Sequence, residues 1–141
     1  MKFKQFQFLK NEAIKKLTAL EEEPLRLRKR TIEECLSADA VMLAYIGDAV
    51  YSMYVRERVV QMNITKVQIL HTIVTEFICA KSQAKVLLEI ENTLTEDEQA
   101  IARRARNSNV NVPKSSTVQE YRSSTAFEAV LGFLYEIGRA H

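Results

Sequence analysis

Val41-Met42-Leu43-Ala44-Tyr45-Ile46-Gly47-Asp48-Ala49-Val50-Tyr51-Ser52-Met53-Tyr54-Val55 is the stretch whose reading decides the fold. Its apolar residues fall on every side of a helical wheel, so it predicts a helix buried all round. It carries one charge, Asp48, and an ionised carboxylate in such a setting is costly unless a cation or hydrogen-bond donors meet it. A second stretch, from Ser123 through Phe127, Glu128 and Ala129 to Tyr135, has the same character and again a single charge, Glu128. The pair predicts two crossing helices whose acids, Asp48 and Glu128, share a metal ion. Each acid has a structural alternative. Thr125-Ala126-Phe127-Glu128 fits a capping box, and a buried Asp48 can be met by backbone amides or by an arginine such as Arg122.

The rest of the chain is built to surround such helices. Its 141 residues suffice for one domain with a real core. Three glycines and two prolines are too few for a turn-rich β fold and favour long helices with few breaks. No apolar run reaches the length of a membrane span, and Met1-Lys2-Phe3-Lys4-Gln5 lacks the apolar core of a signal peptide, so a cytoplasmic protein without a membrane partner is expected. Cys35 and Cys79 are expected to be reduced and buried. His71 has no neighbour at metal-ligand spacing.

Periodicity predicts a helix over 3–20 with Phe6, Leu9, Ala13 and Leu17 on one stripe, a break at 21–24, and a short helix over 25–36. Asp39 caps the organising helix, expected from about Ala40 to Gln61 and roughly 30 Å long. Thr65-Lys66-Val67-Gln68 predicts a capping box opening a helix that runs, with a possible break, to Ile90. Thr95-Glu96-Asp97-Glu98 predicts another, and Arg103, Arg104 and Arg106 suit the C-terminal dipole of the helix it opens. Residues 107–122 are the one long non-periodic segment, and a loop of that length in a helical domain is usually functional.

The net charge is only +2 but unevenly spread. Arg103, Arg104, Arg106, Lys114 and Arg122 face a single acid, Glu120, across residues 99–124. A locally basic segment on a near-neutral protein suits a polyanion bound at one place. Two carboxylates with such a loop nearby suit Mg²⁺, which prefers oxygen ligands. An ion of this kind lowers the pKa of a bound water and stabilises the leaving oxygen of a phosphodiester.

Leu43-Ala44-Tyr45-Ile46-Gly47-Asp48-Ala49-Val50-Tyr51 resembles the signature of the ribonuclease III family, most closely its Mini-ribonuclease III branch, which lacks a double-stranded-RNA-binding domain. Three further stretches agree: Ala80-Lys81-Ser82-Gln83-Ala84-Lys85; Arg104-Ala105-Arg106-Asn107 with Pro113-Lys114; and Tyr121-Arg122-Ser123-Ser124-Thr125-Ala126-Phe127-Glu128-Ala129. The resemblance covers about residues 40–138, leaving 1–38 as an N-terminal helical extension and 39–141 as the catalytic domain. It implies an all-α endonuclease domain acting as a homodimer, an endoribonuclease that cleaves double-stranded RNA with Mg²⁺, and a role in maturing the 23S ribosomal RNA precursor. By position it makes Asp48 and Glu128 the metal-binding catalytic acids, with Arg103, Arg104, Arg106, Asn107, Lys114, Arg122, Lys81 and Lys85 as candidate RNA contacts.

Two departures qualify the resemblance. Larger enzymes of the family carry two more carboxylates where this chain has Ala44 and Thr125, a reduction the smaller branch shares. The loop around Ser108-Asn109-Val110-Asn111-Val112 is slightly shorter than usual and lacks a Lys and a Gly. The missing carboxylates keep open a non-catalytic module that binds structured RNA in ribosome assembly, and a helical protein-interaction domain remains a third reading. A homodimer also has a physical argument. A helix apolar all round needs partners on all sides, and packing Val41–Val55 against its own copy would supply one.

Overall fold

The computed structural model describes residues 1–18, 27–108 and 111–139. Among them are seven α-helices, one 3₁₀ turn and no strand. The helices are α1 (Phe3–Thr18), α2 (Ile32–Ser37), α3 (Ala40–Val60), α4 (Val67–Ile78), α5 (Ala80–Ile90), α6 (Glu96–Arg106) and α7 (Val118–Glu136), with the 3₁₀ turn at Glu91–Thr93. The break expected at 21–24, Arg26, and Asn109 and Val110 of the long loop lie outside the described residues.

The central helix is α7. Ser124, Thr125, Ala126, Phe127, Ala129, Val130, Gly132 and Phe133 are all buried on it, because α3, α5 and α6 pack around it. Small residues let these neighbours approach: Ala126, Ala129 and Gly132 on α7, Ala44 and Gly47 on α3, Ala102 and Ala105 on α6. Larger side chains fill the remaining space, with Leu43, Leu87, Ile101, Phe127, Val130 and Phe133 in one cluster. Tyr51 on α3 meets Phe127 edge-on, ring centroids 5.0 Å apart. A smaller core of Val55, Val59 and Val74 joins the far end of α3 to α4.

One expectation for α3 is corrected. The helix is buried on one side only, through Ala40, Leu43, Ala44, Gly47, Val55 and Val59. Met42, Tyr45 and Met53 stand 55%, 85% and 60% exposed, and Ala49 between them is exposed as well. These four lie at i, i+3, i+7 and i+11, a single stripe. One chain has only enough helices to enclose one apolar helix fully, and α7 takes that place.

Helix ends follow the capping logic of the sequence in most places. Asp39 accepts from the Val41 amide at 2.9 Å, and Thr95 with Glu98 forms the expected reciprocal capping box. Thr117 caps α7 through the Glu120 amide, so the helix opens at Val118 and the long loop ends at 117 rather than 122. The box expected at Thr65 does not form. α4 begins at Val67, which makes Lys66 the N-cap and puts Thr65 out of register. Of the segment expected as a helix over 25–36, the described residues, 27–36, are helical only from Ile32, where Thr31 accepts from the Glu34 amide. The expected break before Ile90 falls at Cys79, whose backbone is extended, and the Ser82 hydroxyl there takes up the free Glu76 carbonyl. Cys35 is buried as expected, whereas Cys79 is exposed at this break; both are free thiols.

Gly138 closes α7 at φ 79°, the left-handed conformation that glycine adopts without penalty. Its amide reaches the Tyr135 carbonyl and the Arg139 amide reaches Leu134, satisfying two terminal carbonyls. The 27–37 segment packs against this end. The Arg30 amide donates to the Glu136 carbonyl at 2.8 Å, its guanidinium pairs with the Glu136 carboxylate at 3.1 Å, and Cys35 of α2 enters the core. By contrast, α1 contributes no buried residue.

The tightest junction is the α3–α7 crossing. A Cβ added at Gly47 would fall on the Glu128 carbonyl, and one added at Gly132 on the Leu43 carbonyl. Backbone cannot swing aside as a side-chain tip can. Gly47→Ala and Gly132→Ala are therefore each expected to cost about 3 kcal/mol or more, read as a fall in the urea midpoint with the m-value unchanged.

Candidate active site

Glu128 lies ten residues into α7, so it cannot belong to a capping box at that helix's start. Thr125, offered as its partner, is buried, and its hydroxyl donates back to the Tyr121 carbonyl at 2.9 Å. The structural alternative for Glu128 is removed. The arginine alternative for Asp48 is removed too: among the described residues no cation pairs with either acid, and Arg122 is exposed.

The glycine crossing sets the two acids side by side. Gly47 touches the main chain at Glu128, and Asp48 is the next residue of α3. Asp48 is exposed and Glu128 is half-buried, so the pair forms a rim with one wet and one drier carboxyl. Burial, reinforced by the neighbouring Asp48 charge, pushes Glu128 up to about 7, while the Gln83 amide pulls the other way. A carboxyl in that position takes either a proton or a cation near neutral pH.

Two oxygen donors held together with negative charge and open to solvent suit a hard divalent cation that keeps several waters. No third carboxylate, histidine or cysteine completes a cluster with them among the described residues. At the positions of the two absent carboxylates, Ala44 and Thr125 are both buried.

The residues expected to contact RNA divide into two groups. Arg104 donates to the Cys35 carbonyl at 3.2 Å and so ties α6 to α2. Arg106 pairs with Glu91 at 3.4 Å. These two are engaged within the fold. Arg103, Asn107, Lys114, Arg122, Lys81 and Lys85 are exposed, with Lys81 and Lys85 one turn apart on α5. The sequence reading did not single out Gln83, which is buried beside Glu128 on the face of α5 defined by Ala80, Leu87 and Ile90. Its signal was a long amide at an apolar position of an amphipathic helix.

This arrangement matches a known family. The Ribonuclease III domain family matches residues 41–138, which include both acids and both crossing glycines. The chain belongs to the ribonuclease III family. It is 44% identical over 109 residues to Mini-ribonuclease 3 of Thermoanaerobacter sp. strain X514, covering 77% of each chain. It is 41% identical to that of Symbiobacterium thermophilum, covering 74% of this chain and 82% of the relative. A Fusobacterium nucleatum protein solved by X-ray crystallography has the same fold, with a TM-score of 0.67 at 34% identity, over 70% of this chain and 81% of that one. Membership makes the chain a ribonuclease III-type endoribonuclease acting on RNA, in a family that generally depends on a divalent metal. None of the helices among the described residues is long and apolar enough to cross a membrane.

The Glu128 shift has a stability consequence whose sign is fixed. Without metal, the folded protein holds a proton on Glu128 up to about 7, while the unfolded chain releases it near 4.5. Between those values the native state binds more protons, so this group's contribution to stability falls as pH rises. In chelator, the melting temperature is expected to drop from pH 5 to pH 8, and Glu128→Gln is expected to flatten that part of the profile in differential scanning fluorimetry.

Proposed function

We propose that this ribonuclease III-type enzyme cleaves double-stranded RNA with Mg²⁺, that it works as a homodimer in the cytoplasm, and that its substrate is the 23S ribosomal RNA precursor. The observation that carries the proposal is the pair of unneutralised acids held together at the glycine crossing. The identity to Mini-ribonuclease 3 relatives supports placing the chain in that branch; the ribosomal substrate is the role that the resemblance to that branch implies.

In this reading Asp48 and Glu128 hold the ion. The bound ion would supply an activated water and stabilise the oxygen that leaves the phosphodiester. Asp48, being exposed, stays accessible to the approaching phosphate. Glu128, being half-buried, supplies charge where solvent screens it less. Arg103, Asn107, Lys114, Arg122, Lys81 and Lys85 remain free to meet the RNA backbone. Such contacts read A-form shape, phosphates and 2′-hydroxyls rather than base edges.

The exposed stripe of Met42, Tyr45, Ala49 and Met53 is the proposed dimer face. It lies on the same helix as Asp48, so a second copy docked there would bring two sites near each other, one for each strand of a duplex.

Asp48→Asn and Glu128→Gln are each expected to abolish Mg²⁺-dependent cleavage of duplex RNA while duplex binding survives in a gel-shift assay. Wild-type products should disappear with chelator. Cleavage at an unchanged rate in either variant would remove the metal role, and RNA binding with no chelator-sensitive product would favour a non-catalytic RNA-binding module. Placing a charge on the stripe, as in Tyr45→Glu, is expected to shift the sedimentation coefficient to that of a monomer and to lower cleavage with it.

A further inference from the structure

Among the described residues, Gln83 is the one large polar side chain with no solvent access: it is 0% exposed. Neither its Oε1 nor its Nε2 completes a hydrogen bond. Cores rarely keep both ends of an amide unpaired, because the desolvation of each goes uncompensated. A methionine or leucine would fill this volume without that cost. The position therefore carries an amide against the interest of packing.

Its surroundings identify what the amide is for. Gln83 is the buried polar residue of α5, the helix that packs on α7, and its amide is close enough to act on the Glu128 carboxyl without completing a hydrogen bond to it. Apolar side chains dominate the core here, with Leu87 one turn further along α5 and Phe127 and Ala129 flanking Glu128 on α7; the two buried hydroxyls one turn before Glu128, those of Ser124 and Thr125, are already committed to the Tyr121 carbonyl. We propose that Gln83 is a positioning residue, whose Nε2 donates to one Glu128 carboxylate oxygen and fixes the carboxylate in the orientation in which it and Asp48 take up a divalent ion. The inference rests on reading those two acids as the metal site.

The chemistry favours an amide over any charged partner. A lysine or arginine here would neutralise Glu128 and repel the ion, whereas a neutral N–H orients the carboxylate and leaves its charge for the metal. Hydrogen bonds around a functional carboxylate are often long before ligands arrive and tighten on binding. With no third acidic ligand in the cluster among the described residues, the orientation of each carboxylate bears more of the affinity, and outer contacts of this kind typically govern it.

The test is Mn²⁺ binding to the full-length protein, followed by the electron paramagnetic resonance signal of the free ion. Gln83→Met is expected to fold, to bind Mn²⁺ about 10-fold more weakly, and to lower kcat on duplex RNA at limiting metal with KM for RNA unchanged. Excess Mn²⁺ should restore the rate. A side chain that only filled the core would move the melting temperature and leave the metal midpoint alone, so Gln83→Met binding Mn²⁺ as tightly as wild type overturns the proposal. Should that variant not fold, wild-type protein labelled with ¹⁵N-glutamine decides. The Gln83 side-chain amide resonances are expected to shift on Mg²⁺ addition and to stay still in Asp48→Asn, and resonances unmoved in wild type overturn it. Loss of Mn²⁺ binding in Asp48→Asn but not in Gln83→Met removes the role of Gln83 alone. A wild-type protein that binds no Mn²⁺ overturns the reading of the site as well.

Discussion

Everything in the domain depends on two backbones being allowed to touch. Where α3 crosses α7, Gly47 meets the main chain at Glu128 and Gly132 meets the main chain at Leu43. An ordinary residue at either point would hold the helices further apart and carry Asp48 away from Glu128 with them. The crossing thus does two things at once. It allows Leu43, Ala44, Phe127 and Val130 to close into one core, and it fixes the spacing of the acids on elements more rigid than any loop. Sites carried on packed helices keep their geometry better than sites on mobile segments.

The same closeness has an electrostatic cost. Burial takes the Glu128 carboxyl away from water, and the Asp48 charge beside it adds to that cost, so the carboxyl rises to about 7. A cation removes both penalties in one step, so metal uptake and proton release are coupled. Seen this way, the raised carboxyl is the unliganded face of the proposed metal site. No arginine takes the place of that cation among the described residues: Arg104 and Arg106 are held by Cys35 and Glu91, and Arg122 is exposed and pairs with neither acid.

Much of this was legible in the residues. The caps at Asp39 and Thr95 formed where local chemistry placed them, because each side chain satisfies a neighbouring amide whatever the tertiary context. Two lone acids in apolar helices pointed to the candidate site because a charge in such a run needs a reason, and the structure sets them at one crossing. What periodicity could not settle was which apolar helix would be enclosed. Both read as buried all round, and only the number of neighbouring helices in one chain decided that α7 is surrounded while α3 keeps an open stripe. The Thr65 and Thr125 boxes failed for a related reason. The pattern of a capping box recurs by chance, and whether it acts depends on where the helix starts, which packing determines. Gln83 and the two glycines escaped notice because their roles lie in contacts across helices, with no local signature beyond an odd residue type on an apolar face.

The asymmetry between the two apolar helices carries the argument further. A stripe running from Met42 through Tyr45 and Ala49 to Met53 is unusual on a protein surface, since these side chains gain nothing from water. Nothing in the described fold covers it, although helices elsewhere were available to do so; α1, with Phe3, Phe6 and Phe8 exposed, buries no residue at all. Had selection acted only on the stability of a single chain, polar residues on that stripe would have been the less demanding solution. Keeping it apolar makes sense if a second copy buries it, and its place on the helix that carries Asp48 then ties assembly to catalysis. In the proposed function a duplex has two strands to cut, and one acid pair would serve one strand. The exposed stripe and the exposed carboxylate are, on this view, two faces of the same requirement.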